Sequence, residues 1–249
     1  MLVIGVQKLK HSAKTGFSHS ISGTDLIVGA RTGDVQLLMF SVFHLGKPAA
    51  NMSWDSVKEI ESLKQVKWIV PISLGDSHKG FDVVGTTPSF FDHYQFGRKK
   101  KITFQIGEPF NDALDVVIGA GVAEKLNYKL GDKLFLSHGT GKAVGRLHKN
   151  KVFTIKGILN KTNTPIDHSV YTSLKAINSL HAPTQLVNSN ALSSHTPKSV
   201  TACFVGLKSS AFRSDFSIRY GACGPNFIIA FALSEISLKI AFGPKFSLM

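Results

Sequence analysis

Two pairs of neighbouring acidic and histidine side chains are the residues best suited to acid–base or metal chemistry. Asp76 lies two residues before His78, and Asp167 is followed directly by His168. A carboxylate beside an imidazole can bind a metal or pass a proton, but neither pair has a third ligand at short spacing. Ten histidines in 249 residues also produce such neighbours by chance. We therefore predict structural or solvated histidines, with no catalytic and no metal-binding residue, although distant partners could still converge in the fold.

A glycine-rich stretch could bind phosphate. It reads His-Gly-Thr-Gly-Lys from His138 to Lys142, with Gly145 beyond it. A Walker loop places four residues between its first glycine and Gly-Lys and then continues with Ser or Thr, whereas Lys142 is followed by Ala143. The spacing predicts a flexible hairpin loop and no nucleotide cofactor.

Nucleophile signals are also weak. The sequence has no Gly-x-Ser-x-Gly elbow. Cys203 lies in the apolar run 200–207, which predicts a buried, unreactive thiol. With Cys223 it allows at most one internal disulfide. We predict that this protein is not an enzyme.

The chain is strongly basic, with 29 Lys and Arg against 16 Asp and Glu and a net charge of +13. This charge can attract polyanions. The positive residues are scattered, however, and the dense run at 98–101 lacks the interleaved aromatic and glycine residues of a base-stacking platform. The run is typical of a solvated loop, so we predict no nucleic-acid partner; a basic nucleic-acid binder is the least supported alternative.

No segment is long enough to cross a membrane as a helix. The longest apolar runs, 1–6 and 227–233, fall far short of the roughly 20 residues needed. The first residues also differ from a signal peptide, because their lysines follow the apolar residues. Apolar residues followed by basic ones resemble the end of a membrane helix.

The elements that must position these residues begin as an α/β unit. Residues 25–30 predict a strand buried on both faces, and Ser53 is a suitable N-cap for a helix with a buried stripe at Trp54, Val57, Ile60 and Leu63. Residues 66–72 predict a strand in which Pro71 favours an edge position or a bulge. The run 35–43, between the first strand and this helix, is apolar and aromatic, and the pattern is broken at 46–48.

The middle of the chain has short strands and glycine turns, which indicate a mainly β region. Phe90, Phe91 and Tyr94 predict an aromatic anchor on a brief helix. Strands are expected at 80–86, 102–106, 115–118, 133–137 and 152–159, the last two as a pair, with a helix at 120–126. After Pro165 the α/β pattern of the first part returns, with strands expected at 169–171 and 199–207 and a helix at 173–180. A polar loop is expected at 182–198, and Phe212, Phe216 and Tyr220 follow at helical spacing.

One segment carries a family resemblance. Residues 21–35 read Ile-Ser-Gly-Thr-Asp-Leu-Ile-Val-Gly-Ala-Arg-Thr-Gly-Asp-Val, a strand followed by two glycine turns. With GTTPSFFDHYQFG, DVVIGAGVAEKLNYKLGDKLFL and VFTIKGIL further along, this order resembles FtsX-like ABC transporter permeases that carry a MacB-type periplasmic core domain. The resemblance extends from about Phe17 to Lys208.

The resemblance implies an α+β fold with two lobes. A Porter-like α/β lobe would comprise 19–78 and 165–222, and a mainly β Sabre-like lobe would be inserted at 79–164. Residues 1–18 would be the remnant of the first membrane helix and its stalk, and 223–249 a divergent tail. Compared with the resembled permeases, we therefore expect this chain to be truncated at both ends.

The resemblance also implies a function. The chain would be the periplasmic domain of a permease subunit in the bacterial inner membrane. It would act as a dimer with a second permease copy, and would couple the ATP-driven motion of a separate cytoplasmic ABC ATPase subunit to export, efflux or lipoprotein release. Since that subunit hydrolyses ATP, no P-loop is expected here. The alternative is a free soluble two-lobed binding module without transport activity, which would hold its ligand between the lobes.

Overall fold

The computed structural model describes residues 16, 19–30, 34–46, 50–139, 151–181, 197–212 and 228–231. The strands are β1 (Leu26–Gly29), β2 (Met52–Ser53), β3 (Val66–His78), β4 (Phe81–Thr86), β5 (Gln95–Phe96), β6 (Lys100–Lys101), β7 (Phe104–Gly107), β8 (Asp115–Ile118), β9 (Lys133–Leu134), β10 (Ser137–His138), β11 (Phe153–Leu159), β12 (Ser169–Ser173), β13 (Ser199–Val200), β14 (Ala202–Leu207) and β15 (Ile228–Phe231). The helices are α1 (Asp34–Phe43), α2 (Trp54–Glu61), α3 (Ser89–His93), α4 (Ala120–Leu126) and α5 (Leu174–His181), with a 3₁₀ helix at Pro165–His168.

Eleven strands form one mixed sheet. Their order is β15-β1-β14-β3-β4-β12-β8-β11-β7, with β10 paired to β3 and β9 to β11. The pairs β4–β12 and β8–β11 are parallel, and the other pairs are antiparallel. Because helices cover a mixed sheet instead of alternating with parallel strands throughout, the predicted α+β fold class is confirmed.

The 13-residue strand β3 joins the two halves of this sheet. Its first part pairs with β14 as far as Ile72, and its second part pairs with β4 from Ser73 onward. The prediction of an edge strand at Pro71 is therefore wrong, since β3 is central. Pro71 is tolerated because it precedes the first β4 pair, and its carbonyl accepts a hydrogen bond of 2.8 Å from the Thr86 hydroxyl. The bulge lies further along, between Leu74 and Asp76.

Helices cover both faces of the β1–β14–β3 half. Leu26 and Val28 pack with Val57 and Ile60 of α2 on one face. On the other face Ile27 packs with residues of α1 and α3. Helix α2 begins where predicted, because the Ser53 hydroxyl accepts a hydrogen bond of 3.2 Å from the Ser56 amide and so caps its first turn.

The predicted aromatic anchor packs at the joint between the sheet halves. The Phe90 ring of α3 lies 5.1 Å from the Tyr171 ring of β12, and the Tyr94 ring lies 5.7 Å from the Phe204 ring of β14. All four side chains are buried. Trp68 of β3 stacks on His93 at 4.7 Å. Helix α3 therefore ties β14 and β3 to β12, across the place where β3 changes partner.

Several predictions differ in detail from the structure. The expected strand 199–207 is interrupted at Thr201, whose hydroxyl accepts a hydrogen bond from the Leu74 amide. The expected strand 133–137 divides, so that β9 pairs with β11 but β10 pairs with β3. The lobe boundaries at residues 79 and 164 stay a prediction. The described residues exclude most of 1–18, of the loop 182–198 and of the tail. They also exclude Phe216, Tyr220 and Cys223.

Candidate functional site

The structure separates Asp76 from His78. The Asp76 carboxylate, buried at 2% exposure, lies 3.1 Å from His138 Nδ1, a residue 62 positions along the chain. The imidazole of His78 faces other groups, with Nδ1 2.6 Å from the Phe135 carbonyl and Nε2 2.9 Å from the Tyr128 hydroxyl. These two residues therefore do not form a shared metal or acid–base site.

His78 is a neutral, structural histidine. Burial lowers its pKa, the carbonyl of Phe135 opposes that shift, and nearby Lys79 adds to it. A carbonyl only accepts, so Nδ1 carries the proton and Nε2 accepts from the Tyr128 hydroxyl. Both ring nitrogens are thus occupied by hydrogen bonds, as expected for a buried imidazole.

Asp167 and His168 are also divided by the fold. The buried Asp167 carboxylate accepts hydrogen bonds of 2.8 Å from the Thr162 amide, the Thr162 hydroxyl and the Asn163 amide. His168 is exposed, and its ring stacks on Phe81 with centroids 6.3 Å apart. Asp167 therefore shapes the loop before the 3₁₀ helix, and its neighbour in the sequence takes no part in that network.

The other candidate groups are a cysteine and the glycine-rich stretch. Cys203 is a free thiol in β14, and its predicted burial is confirmed; burial raises its pKa far above the ordinary range, which is consistent with an unreactive thiol. Of the glycine-rich stretch, only His138 and Gly139 are described, and Lys142 and Gly145 lie outside the described residues. Among the described residues, no group of three His, Cys, Asp or Glu is arranged to hold a metal ion.

Two clefts flank the parallel strands β4 and β12. The amino-end cleft lies where these strands begin, beside the Cα partners Asp82 and Ser169, and has a volume of about 610 Å³. The carboxyl-end cleft lies where they end, beside Thr86 and Ser173, and has a volume of about 880 Å³. In both clefts, residues from both predicted lobes contribute to the lining.

The amino-end cleft contains a histidine that links α1 to β12. His44 follows α1, and its Nδ1 lies 2.9 Å from the Ser169 hydroxyl. Burial lowers the pKa of His44 to about 4, so the imidazole is neutral at pH 7. Burial also raises the pKa of Asp82 in the same cleft. Glu124, Lys161 and His168 also line this cleft and are exposed.

We expect the folded protein to lose stability on mild acidification, in part through His44. The unfolded chain binds a proton at His44 below pH 6.5, whereas the folded protein resists it down to about pH 4. The free energy of unfolding should therefore fall as pH drops from 6.5 towards 4. His44→Gln should show a smaller fall than the wild type in urea titrations at pH 7 and pH 5. Identical falls in the two proteins would contradict this assignment.

The carboxyl-end cleft collects residues from six parts of the chain, one of which is the segment 110–115. Trp54 opens α2, Pro88 precedes α3, and Pro197 precedes β13. Lys156 comes from β11 and Lys175 from the first turn of α5. The amide of Trp54 donates to the carbonyl of Lys198 at 3.0 Å, which fixes the tryptophan beside Pro197. Trp54 and Pro197 are half-buried, while Pro88 and the two lysines are exposed.

The acidic residues of this cleft are held by backbone groups. Asp115 is buried, and its Oδ2 lies 3.0 Å from the Asp112 amide and 3.4 Å from the Asn111 amide, both of which donate to it. Asp112 in turn accepts from the Ala113 amide. Within the described part of the chain, neither Lys156 nor Lys175 forms an ion pair. Among the described residues, the cleft is therefore lined by two lysines without a carboxylate partner and by the side chain of Trp54.

Comparison with known proteins decides the family. The family described as the MacB-like periplasmic core domain matches residues 1–211. The chain belongs to this family. Among curated protein sequences, none matches the chain.

One solved structure agrees with this MacB-like assignment at the level of the fold. The periplasmic region of MacB from Actinobacillus actinomycetemcomitans has a TM-score of 0.55 at 11% identity, and the match covers 90% of this chain and 95% of that one. The extracellular domain of the ABC-type transporter YknZ from Gram-positive bacteria gives 0.46 at 14% identity, covering 82% of this chain and 98% of that one. In this MacB-like domain, no helix among the described residues is long and apolar enough to span a membrane.

Sequence reasoning allowed for a cleft between the lobes of this MacB-like domain, but it identified none of the residues that line either cleft and missed the Asp76–His138 contact. Asp76 lies on β3 and His138 on β10, and the pairing of these two strands places the two residues opposite each other. No short-range pattern indicates that register, because β10 is only two residues long and 137 had been expected to pair with 152–159. The clefts likewise depend on segments that are distant in the sequence.

Proposed function

We propose that this MacB-like domain is the periplasmic part of an ABC permease subunit in the bacterial inner membrane. It would couple the ATP-driven motion of a separate cytoplasmic ATPase subunit to export, efflux or lipoprotein release, and would act beside a second permease copy. The observation that carries the proposal is the family match over residues 1–211. The fold alone would not support it, since one fold serves many functions.

The fold supports a mechanical role through its continuous elements. Strand β3 runs unbroken for 13 residues and is hydrogen-bonded to β14 in one half of the sheet and to β4 in the other. The aromatic rings of α3 pack across the same joint. A displacement applied to one half would therefore be transmitted to the other through a hydrogen-bonded ladder and a packed core.

The test is to affinity-tag this chain in its natural host and purify it from detergent-solubilised membranes. We expect an ABC ATPase subunit and an untagged second copy of this chain to co-purify, and deletion of the gene to abolish export of at least one compound. An untagged strain processed in parallel is the control. Recovery of the tagged chain from the soluble fraction without an ATPase, together with unchanged export in the deletion strain, would overturn the proposal.

A soluble ligand-binding module is the second candidate function. The carboxyl-end cleft favours it, because about 880 Å³ is ample for a small-molecule ligand and both predicted lobes line the cleft. The same fractionation separates the two functions, since a free module would be found in the soluble fraction without an ATPase. Its ligand binding would also not change when ATP is depleted.

A further inference from the structure

The carboxyl-end cleft has the position expected of a ligand site in a sheet with parallel strands. Strands β4 and β12 run parallel and end side by side, with Thr86 opposite Ser173. Chain segments diverge beyond such ends, and the resulting crevice is where ligands bind in open α/β sheets. Here the crevice holds about 880 Å³, within the range for drug-sized ligands.

The cleft contains groups that can bind an anion. Of its acidic side chains, Asp115 is buried and accepts hydrogen bonds from two backbone amides, whereas Asp112 is exposed and accepts one. Its basic side chains, Lys156 and Lys175, are exposed and have no carboxylate partner among the described residues. Two unpaired ammonium groups can bind a carboxylate, sulfonate or phosphate group by charge-assisted hydrogen bonds.

The position of Lys175 strengthens this argument. It is the second residue of α5, whose first turn contains no acidic residue. A cation at a helix N-terminus is unfavourable, because the exposed amides there already carry partial positive charge. A bound anion would relieve that repulsion. Helix α2 shows the usual arrangement instead, with Asp55 in its first turn.

The cleft also has an apolar part. Trp54, Pro88, Phe110 and Pro197 line it, and of these Trp54 and Pro197 are half-buried and Pro88 is exposed. An indole face binds flat apolar groups well and remains accessible here because it is only half-buried. We propose that the carboxyl-end cleft binds an organic anion with a flat apolar body, whose charged group contacts Lys156 and Lys175 and whose body packs on Trp54. This site goes beyond the proposed coupling function and does not depend on it.

Two dyes with the same aromatic skeleton test the proposal. The probe 8-anilinonaphthalene-1-sulfonate is an aromatic anion, and N-phenyl-1-naphthylamine is the same skeleton without the sulfonate. We expect the purified full chain to bind the anionic dye about tenfold more tightly than the neutral dye at low salt. Dye fluorescence measures both affinities. Raising the salt concentration should weaken the binding of the anionic dye only, because salt screens the exposed charges.

Substitutions separate the two parts of the site. Lys156→Gln with Lys175→Gln should weaken the anionic dye roughly tenfold and leave the neutral dye unchanged, a loss consistent with two exposed ion pairs. Trp54→Leu should weaken both dyes about threefold, since it removes the aromatic face. The matched control is Lys67→Gln with Lys133→Gln, which removes two exposed strand lysines outside the cleft. Circular dichroism should show that every variant remains folded.

Each outcome decides the proposal. Selective loss of the anionic dye in the cleft variant, but not in the control, supports the site. Equal weakening in both lysine variants would mean that overall charge attracts the dye, and unchanged binding in both would place the dye elsewhere; either result overturns the proposal. Because no ATPase takes part in this assay, its failure would leave the proposed coupling function untouched.

Discussion

Replacing Phe90 with alanine is expected to lower the free energy of unfolding by about 4 kcal/mol. The Phe90 side chain is 2% exposed, and its ring lies within 5.5 Å of the rings of Phe91, Tyr94 and Tyr171. Removing it leaves a cavity at the joint where α3 packs against both halves of the sheet. Urea unfolding followed by circular dichroism measures the loss.

Phe135→Ala is the matched control for this cavity. Its side chain is 38% exposed, and the backbone carbonyl that accepts a hydrogen bond from His78 is unchanged by the substitution. We expect a loss of about 1 kcal/mol or less. A comparable loss in the two variants would show that the cluster of rings around Phe90 does not dominate the stability of the fold. If the free energy of unfolding of one variant depended more steeply on urea concentration, the substitution would instead have changed the unfolded chain.

Asp167→Ala is expected to cost about 3 kcal/mol, although the residue has no catalytic role. Its carboxylate is 4% exposed and accepts three hydrogen bonds, from two backbone amides and one hydroxyl. Alanine would remove the acceptor of the Thr162 and Asn163 amides, whereas the Thr162 hydroxyl could still bond to Thr164 Oγ1, 2.7 Å away. The loss is measured by thermal or urea unfolding at pH 7.

Two comparisons test the reason for this loss. Asp55→Ala should change stability by less than about 1 kcal/mol, since the side chain is 95% exposed and lies only near Lys58. His168→Ala should likewise have a small effect, because the exposed ring only stacks on Phe81. If His168→Ala matched the loss of Asp167→Ala, the two residues would act as a pair and the structural assignment would be wrong.

Local patterns were sufficient for several elements. Helix α4 and strand β8 have the bounds expected from the sequence, and α2 begins at its predicted N-cap, Ser53. These elements depend on short-range features, such as a capping hydroxyl, a stripe at helical spacing and a glycine before the helix. The aromatic residues at 90, 91 and 94 were likewise expected to be buried, because large apolar rings on a short helix must pack against the core.

Helix α1 shows where periodicity fails. Seven of the ten residues 34–43 are apolar, and a short apolar run fits a buried helix and a buried strand equally well. Only the fold decides between them, since α1 covers one face of the sheet with Leu37, Leu38 and Phe40 buried. Strand β3 was cut short for a related reason: Pro71 suggested an end, whereas the change of partner at Ser73 lets the strand continue.

The sequence by itself determined the family and, through that resemblance, the α+β class, because both follow from the order of its motifs. Local spacing determined single elements, such as α4 and β8. The tertiary structure alone decided which chemical groups meet. It separated Asp76 from His78 and Asp167 from His168, and it brought Lys156 and Lys175 to the cleft that contains Trp54. The physical reason is that a strand's neighbours depend on long-range pairing and register, which no local pattern encodes.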